Sequence, residues 1–436
     1  MSNKGQKVWK RAKGVIPGGN MILSKRPEMF LPDKWPAYYS KAKGCYIWSL
    51  DNEKFIDMSL MGVGTNILGY SNDEVDKAVI ENISKGNMST LNCSEEVELA
   101  EKLIEICSPW GEMVRFARSG GEANAIAVRI ARAASGKDNV AICGYHGWHD
   151  WYLSANLQSK DELNNHLLDG LDINGVPRNL TNTVFPFEYN NINQLEEIIN
   201  SKDIGTVKME VVRNIQPEEG FLKKVREITK KKNIVLIFDE CTSGFRETFG
   251  GISKKYNINP DMSMFGKALG NGYAVTAVVG KEEIMQNAQS SFISSTFWSE
   301  RAGSTAALKT LEIMEKTESW KIITNKGKYI KKCWQELADN FSLNIEISGI
   351  DALPMLNIKS ESKFLYKTFI TQELLKKNIL ASNSVYLSIA HDDNLIDFYL
   401  EELSGVFAKI RDCENGKDIN DLLEGPVCQV GFKRIN

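Results

Sequence analysis

The chain has 436 residues, 42% hydrophobic and 25% charged, with 33 glycines and 11 prolines; this composition excludes collagen-like, disordered and coiled-coil proteins. The 53 Lys and Arg residues nearly balance 56 Asp and Glu residues, and no basic run exceeds residues 230–232, so we expect no nucleic acid and no membrane as a partner. The length predicts an enzyme-sized protein with two subdomains. A polar start and short apolar runs favour a cytoplasmic location.

The predicted elements begin with a strand pair over residues 46–58, around a turn at Asp51 and Asn52. Helical periodicity follows over residues 95–108 and 122–134. Short β-rich runs alternate with the helical patterns, at residues 113–117, 139–143, 206–209, 234–238 and 274–279. This alternation predicts helices packed on a largely parallel sheet.

The change of pattern towards both ends predicts two domains. We expect a large α/β domain over residues 66–315. The flanking residues, 1–65 and 316–436, combine the strand pair with long helices and short strands, so we expect them to form one smaller domain.

Lys267 is the first candidate for chemistry. It follows a β-like stretch over residues 261–265 and lies between Gly266 and Gly270. Glycines allow close approach to a ligand, and a lysine amine in a partly desolvated pocket is suited to Schiff-base chemistry. A surface lysine in a glycine-rich turn is the alternative interpretation.

Asp239 directly follows the apolar run 234–238, at the predicted carboxyl end of a central strand. Ligands of α/β proteins bind at that edge, and a carboxylate there can hydrogen-bond the protonated pyridine nitrogen of pyridoxal phosphate. Together with Glu240, it could instead hold a metal or a ribose, and a helix or turn cap is a further alternative.

A glycine turn, Arg118 to Gly121, opens the predicted helix 122–134. The N–H groups at the helix start and the Ser119 hydroxyl would form an anion site suited to a phosphate, whereas a plain N-cap is the simpler alternative. The turn lacks the Gly-Lys-Ser/Thr ending of a Walker loop, which argues against a nucleotide.

Aromatic residues follow the predicted strand 139–143. Tyr145 and its neighbours could stack on a planar cofactor ring. A zinc site made of His146, His149 and Asp150 is the alternative, although no further Cys or His cluster completes it.

These four motifs, in this order and at these intervals, resemble the class III pyridoxal-phosphate aminotransferases, and most closely their glutamate-1-semialdehyde aminomutase branch. The likeness runs from about residue 9 to about residue 391. It implies a fold-type I PLP-dependent transferase. Such a protein has a large α/β domain with a mainly parallel seven-stranded sheet and a smaller α+β domain built from both termini.

The resemblance implies two catalytic residues. Lys267 would form a Schiff base with pyridoxal 5'-phosphate and then move a proton at the substrate, while Asp239 would hold the proton on the ring nitrogen. The implied cofactor-binding set is Ser119, Gly120, Gly121, Tyr145, His146, Glu210, Asp239, Cys241, Lys267 and Thr296.

Within this set, the resemblance implies that Tyr145 stacks on the ring and that Cys241 lies against its other face. The turn Ser119 to Gly121 would hold the phosphate. Glu210 would face the substrate side, and Thr296 would reach the phosphate from a second subunit, which implies a homodimer.

Several positions depart from the aminomutase pattern. Gly121 replaces a Ser or Thr, Arg118 replaces an Asn and Cys241 replaces a Val. The segments at 211–222, 297–301 and 380–387 are shorter or different, and such loops shape substrate recognition. Substrate contacts are sought among Arg26, Arg118, Trp148, His149, Glu300 and Arg301.

We therefore predict a PLP-dependent aminotransferase that moves an amino group from an amino-acid donor, glutamate, to a carbonyl acceptor such as a sugar or another polar intermediate. A glutamate-1-semialdehyde-type 2,1-aminomutase is the first alternative. An amino-acid racemase and a non-catalytic PLP-binding protein are the others.

Overall fold

The structure is a computed structural model that describes residues 3–164, 166 and 170–431. The strands, in chain order, are β1 (Tyr39–Lys43), β2 (Tyr46–Ser49), β3 (Lys54–Met58), β4 (Met113–Ala117), β5 (Asn139–Cys143), β6 (Val184–Pro186), β7 (Ile204–Glu210), β8 (Val235–Asp239), β9 (Met262–Phe265), β10 (Thr276–Gly280), β11 (Ile345–Ser348), β12 (Met355–Ile358) and β13 (Ile379–Ala381).

The α-helices of the described residues are α1 (Lys4–Val15), α2 (Met61–Gly64), α3 (Asp73–Ile83), α4 (Ser94–Cys107), α5 (Gly120–Ser135), α6 (Asp150–Leu153), α7 (Ile192–Ser201), α8 (Phe221–Lys231), α9 (Glu282–Met285), α10 (Arg301–Thr317), α11 (Ser319–Phe341), α12 (Lys363–Leu375) and α13 (Asp393–Glu414). None of them combines the length and the apolar character that a membrane span requires.

A seven-stranded sheet forms the centre of one compact unit, Asp73–Trp320. Its order is β4-β10-β9-β8-β7-β5-β6, and neighbouring strands from β9 to β6 are parallel. Strand β10 is antiparallel to both β9 and β4, so β4 runs in the same direction as β9. The mainly parallel sheet predicted from the sequence is confirmed.

Helix α5 shows why the sequence folds in this way. Its apolar side, with Ile126 and Ile130, packs on Ile237 of β8 and Met264 of β9, and all four side chains are buried. The helix ends at Gly136, whose φ of 66° is the left-handed conformation that glycine adopts without strain. The central strands β7 to β10 are buried throughout, as apolar runs covered on both faces should be.

The other compact unit extends up to Asn72 and resumes at Lys321. It holds a four-stranded sheet, β1-β2-β3-β13, and a hairpin of β11 and β12. Strands β2 and β3 are antiparallel, which confirms the strand pair predicted over residues 46–58. The sequence analysis placed the domain boundaries at 66 and 315, and the ends of its small domain, residues 1–2 and 432–436, lie outside the described residues.

Candidate active site

The same edge of the seven-stranded sheet carries most of the predicted site. Strands β4, β5, β7, β8 and β9 all run in one direction, so their carboxyl ends lie at one edge. In that order, these ends lead into or contain Ser119, Tyr145, Glu210, Asp239 and Lys267. Ligands of α/β sheets bind at this edge, so the topology gathers the predicted residues where a ligand is expected.

Asp239 is buried at the end of β8 and is surrounded by proton donors. Its Oδ2 lies 2.9 Å from Nδ1 of His146 and 3.8 Å from Nζ of Lys208. The backbone N–H of Cys241 donates to Oδ1 at 3.1 Å. Burial alone would raise the pKa of Asp239, but the charge of Lys208 and the hydrogen bond from His146 hold it well below its usual range. Asp239 is therefore an ionised carboxylate.

Lys267 presents a half-buried amine just beyond β9. Its Nζ donates to Oγ1 of Thr242 at 2.8 Å. Burial lowers the pKa of Lys267 to about 8, and the nearby charges of Arg213 and Arg246 act in the same direction. A lysine with such a pKa holds a substantial fraction of neutral, nucleophilic amine near neutral pH. Its φ of 44° is a strained conformation of the kind found at functional sites.

Glu210 at the end of β7 connects two loops of the site. Its Oε2 accepts from the backbone N–H of Tyr145 at 3.1 Å, and its Oε1 lies 3.3 Å from Nη1 of Arg213. Gly144 has a φ of 109°, and a Cβ there would lie 2.7 Å from Oε2 of Glu210. Glycine is thus required for Tyr145 to reach this position.

The predicted phosphate turn is the start of α5. Ser119 caps the helix: its Oγ donates to Oε2 of Glu122 at 3.1 Å and accepts from the Glu122 N–H at 3.4 Å. Among the described residues, no hydrogen bond uses the N–H of Gly120 or Gly121. The Ser119 side chain therefore forms the cap, while the glycine N–H groups are available to an anion, and the phosphate role stays a prediction.

The packing around Gly121 explains one departure from the aminomutase pattern. A Cβ at this position would lie 3.2 Å from both Nε1 of Trp148 and Cδ2 of His149, whose rings stack with centroids 4.4 Å apart. A Ser or Thr would need these rings to move. Trp148 and His149 thus occupy the space that a larger residue would fill.

Cys241 lies between the phosphate turn and the Lys267 segment. Its Sγ would be 3.7 Å from a Cβ on Gly120 and 3.4 Å from one on Gly266. Burial raises the pKa of the Cys241 thiol well above its usual value, so the side chain stays a neutral thiol.

The six substrate-contact candidates differ in the contacts that their side chains make. Arg118 and Glu300 form an ion pair at 3.2 Å, and Arg301 pairs with Glu95 at 3.3 Å. Three of the six candidates are therefore held in ion pairs within the protein. Trp148 is the exposed candidate, at 68%.

The remaining candidates, His149 and Arg26, have different settings. His149 keeps a buried Nε2 without a partner in the described structure. Arg26 belongs to the other compact unit.

The metal alternatives find no support in the described residues, which contain no group of three His, Cys, Asp or Glu side chains that could hold an ion. His146 is directed at Asp239. Glu240 accepts hydrogen bonds from the Ser243 hydroxyl and from the N–H groups of Ile252 and Ser253, so its carboxylate is engaged by another loop.

Four residues of the site were missed by the sequence analysis: Lys208, Arg213, Thr242 and Arg246. One signal was available, because Lys208 lies inside the predicted strand 206–209, where a charged residue is unexpected. Thr242 and Arg246 lie in the turn after Asp239, and only the folded turn brings the Thr242 hydroxyl to Lys267 and the Arg246 charge near enough to act on it.

Comparison with known proteins points to one family. The family model for class-III aminotransferases matches residues 32–385. A 3-aminobutyryl-CoA aminotransferase of Cloacimonas acidaminovorans is 32% identical over 419 residues, covering 93% of this chain and 96% of that protein. A glutamate-1-semialdehyde 2,1-aminomutase of Methanothrix thermoacetophila is 32% identical over 425 residues, covering 92% and 95%. The resemblance stated from the motifs is confirmed.

Solved structures show the same fold. An omega-transaminase from Sphaerobacter thermophilus superposes with a TM-score of 0.82 at 22% identity, covering 93% of this chain and 98% of that one. A transaminase with PLP bound gives a TM-score of 0.83 at 21% identity, covering 95% and 100%. The fold-type I architecture is confirmed.

The residues present fit pyridoxal 5'-phosphate. A buried carboxylate, Asp239, keeps lone pairs for a protonated ring nitrogen, and Lys267 offers an amine of lowered pKa. The unused N–H groups of Gly120 and Gly121 at the start of α5 suit a phosphate. When bound, this cofactor supplies an aldehyde for a Schiff base and a ring that accepts electrons.

Proposed function

The chain belongs to the class III aminotransferases and is a pyridoxal-phosphate-dependent enzyme, and on this premise we propose that it transfers an amino group from glutamate to a polar carbonyl compound. The observation that carries the proposal is the Lys267 amine, with its pKa of about 8, at the sheet edge that also carries the ionised Asp239. An amine and a carboxylate with these protonation states match the two roles that the chemistry requires.

In the proposed reaction, the neutral amine of Lys267 would hold the cofactor through its aldehyde carbon. Once the substrate amine has taken its place, the freed Nζ of Lys267 would act as the base that removes the proton from the substrate Cα. Thr242 orients Nζ through the hydrogen bond to its Oγ1. Asp239 would hold the proton at the ring nitrogen, and His146 and the Cys241 N–H fix its carboxylate.

The proposal of glutamate as donor is supported by Arg213. Its guanidinium is paired with Glu210 at 3.3 Å, and its positive charge is close enough to Lys267 to lower the pKa of that amine. A cation beside the reactive amine is suited to a donor carboxylate.

The proposal of a polar acceptor other than glutamate semialdehyde is supported by the loops that depart from the aminomutase pattern, including the segment that begins at Val211. We propose a keto sugar as the representative to test.

The first experiment is a visible absorption spectrum of the purified holoenzyme before and after addition of glutamate, with 2-oxoglutarate measured in the supernatant. We expect the yellow band to bleach as one equivalent of oxo acid per site forms, because a transaminase completes half of its reaction with the donor alone. Aspartate serves as a second donor to test specificity.

A yellow band that does not respond to any amino donor would refute the proposed donor. A reaction that converts glutamate 1-semialdehyde without any added donor would favour the aminomutase, as the names of several relatives suggest. A failure to bind pyridoxal phosphate would contradict the cofactor itself.

We also propose a homodimer in which Thr296 contacts the phosphate held by the other subunit. Thr296 is exposed and begins a short 3-10 helix, and the adjacent Phe297 and the nearby Phe292 are exposed as well. Exposed aromatic side chains on one loop are typical of an interaction surface.

Mixing Lys267→Ala, which we expect to be inactive, with Thr296→Ala, which we expect to lose activity through weaker cofactor binding, tests this arrangement. In a hybrid dimer, the site that keeps Lys267 would receive an intact Thr296 from the other subunit, so we expect activity to return on mixing. If each subunit used its own Thr296, no hybrid site would be complete, and mixing would restore nothing.

A further inference from the structure

Lys208 is a lysine in the middle of a central strand. It lies in β7, paired with Ile142 of β5 and Ile237 of β8, and its side chain is 0% exposed. Lysine is almost never fully buried unless its charge is paired. Its presence under the site therefore requires a charged partner.

Asp239 is that partner. Nζ of Lys208 lies 3.0 Å from Sδ of Met264, and a thioether is only a weak acceptor. The nearest carboxylate oxygen is Oδ2 of Asp239 at 3.8 Å. Burial lowers the pKa of Lys208, and the negative charge of Asp239 opposes that shift. The carboxylate of Asp239 therefore favours the charged, ammonium form of Lys208.

Other titratable groups surround this pair. His146 contacts Oδ2 of Asp239 directly, and burial lowers its pKa, so its ring is neutral. Glu210 follows two residues later on β7, and its charge raises the pKa of Lys208. Lys267 lies beyond Cys241 at the same sheet edge. Lys208 is thus the cation closest to Asp239 among the groups described here.

One carboxylate therefore faces two candidate cations, the Lys208 ammonium and the protonated ring nitrogen of the cofactor. A cation within about 4 Å of a carboxylate lowers the affinity of that carboxylate for a proton. We propose that Lys208 is a positioning residue that sets how firmly Asp239 holds the proton of the cofactor ring nitrogen, and that its charge weakens this hold.

This inference rests on the cofactor and on no particular donor or acceptor. Its consequence is a tuned electron sink, because a ring nitrogen that carries less of the proton withdraws fewer electrons from the reacting carbon. In the cofactor-free protein, the same charge acts with the hydrogen bonds from His146 and the Cys241 N–H to keep Asp239 ionised.

The test measures the protonation of the ring nitrogen directly. Holoenzyme is reconstituted with pyridoxal phosphate carrying an isotopic label at the ring nitrogen, and the NMR resonance of that nitrogen is followed against pH. In Lys208→Met, which removes the charge and keeps the length of the side chain, we expect the pKa of the ring nitrogen to rise by about one unit or more.

The matched control is Thr206→Val. Thr206 lies on the same face of β7, two residues before Lys208, and its buried Oγ1 has no partner in the described structure. This substitution disturbs the same packing without a change of charge, so we expect the titration of wild type. Lys208→Arg, which keeps the charge, should also titrate like wild type.

Identical titrations in wild type and Lys208→Met would overturn the proposal, and so would an equal shift in Thr206→Val, because packing alone would then account for it. If Lys208→Met fails to fold, Lys208→Gln carries the same expectation. The measurement needs no amino donor, so its failure is distinguishable from a failure of the proposed transamination, which is measured by the formation of oxo acid.

Discussion

Asp239 and Glu240 are adjacent carboxylates with opposite surroundings. Both are buried, at 4% and 0% exposure, yet they belong to two different regions of the molecule. Asp239 is directed at the sheet edge, where it faces Lys208 and His146. Glu240 is directed at the loop that contains Ile252, where the donors to its carboxylate among the described residues are neutral.

The pKa directions follow from this difference. Burial raises the pKa of Glu240, and its hydrogen bonds only partly oppose that effect. The same burial acts on Asp239, but the Lys208 charge and the hydrogen bonds from His146 and the Cys241 N–H together outweigh it, and the pKa falls. A buried carboxylate thus remains ionised where the fold supplies a cation, and this separates a carboxylate suited to a cofactor from one that holds a loop.

The largest expected effect concerns Lys267, whose amine lies at the same sheet edge as Asp239. Lys267→Ala should lower turnover by about 10⁴-fold, because it removes both the nucleophile and the base. Steady-state assays and circular dichroism measure activity and folding. Lys223→Ala, in an exposed ion pair on α8, is the control and should keep wild-type activity. Turnover retained by Lys267→Ala would contradict the mechanism.

Asp239→Ala should follow, with a loss of turnover of about 10²- to 10³-fold even when cofactor is bound, because the ring nitrogen loses its partner. Glu240→Gln is the matched control one residue along the chain, and we expect it to keep turnover close to wild type. Cofactor content is measured from the absorption spectrum so that weaker binding is separated from slower chemistry. Equal losses in the two variants would remove the distinction between the carboxylates.

Glu240 should matter for stability, although we expect it to matter little for turnover. Glu240→Gln should lower the free energy of unfolding by about 1–3 kcal/mol, since one backbone N–H loses its acceptor. The pKa of Glu240 is raised above 4.5 in the folded state, so the folded protein binds this proton more tightly and loses stability as pH rises through that range. The deficit of the variant should therefore narrow with rising pH.

Urea unfolding of wild type and Glu240→Gln at several pH values measures this trend. Asp239 carries the opposite sign: its pKa is lowered below 3.8, so its contribution to stability is present above that pH and is lost on acidification. A deficit of Glu240→Gln that widened as pH rose would show that Glu240 is ionised at little cost.

The two regions also differ in how far the sequence predicted them. The apolar run 234–238 indicated the strand that carries Asp239, and its carboxyl end indicated a ligand site. The same run did not predict which of the two carboxylates, Asp239 or Glu240, serves the site. Alternation along a strand assigns the two side chains to opposite faces but does not show which face carries a cation. Lys208 comes close to Asp239 only because β7 pairs with β8. The sequence of neither strand predicts the register in which the two parallel strands pair.

Long-range pairing was also beyond the sequence. Arg118 donates to the backbone of Glu300 across 182 positions and also forms an ion pair with its carboxylate. Sequence proximity to the cofactor motifs favoured both residues as substrate contacts. The fold instead joins them to each other, because it brings the start of α5 beside the start of α10.

The smallest expected effect therefore concerns this pair. Arg118 donates to the carbonyl oxygens of Trp298 and Glu300 at 2.8 and 3.0 Å, and Glu300 caps α10 by accepting from the N–H groups of Ala302 and Gly303. With these contacts made inside the protein, Arg118→Gln should change the KM for glutamate by less than about threefold. A double-mutant cycle with Glu300→Gln should give a coupling energy of about 1 kcal/mol in unfolding experiments. A large rise in KM with no loss of stability would instead show that Arg118 leaves Glu300 to bind the substrate carboxylate.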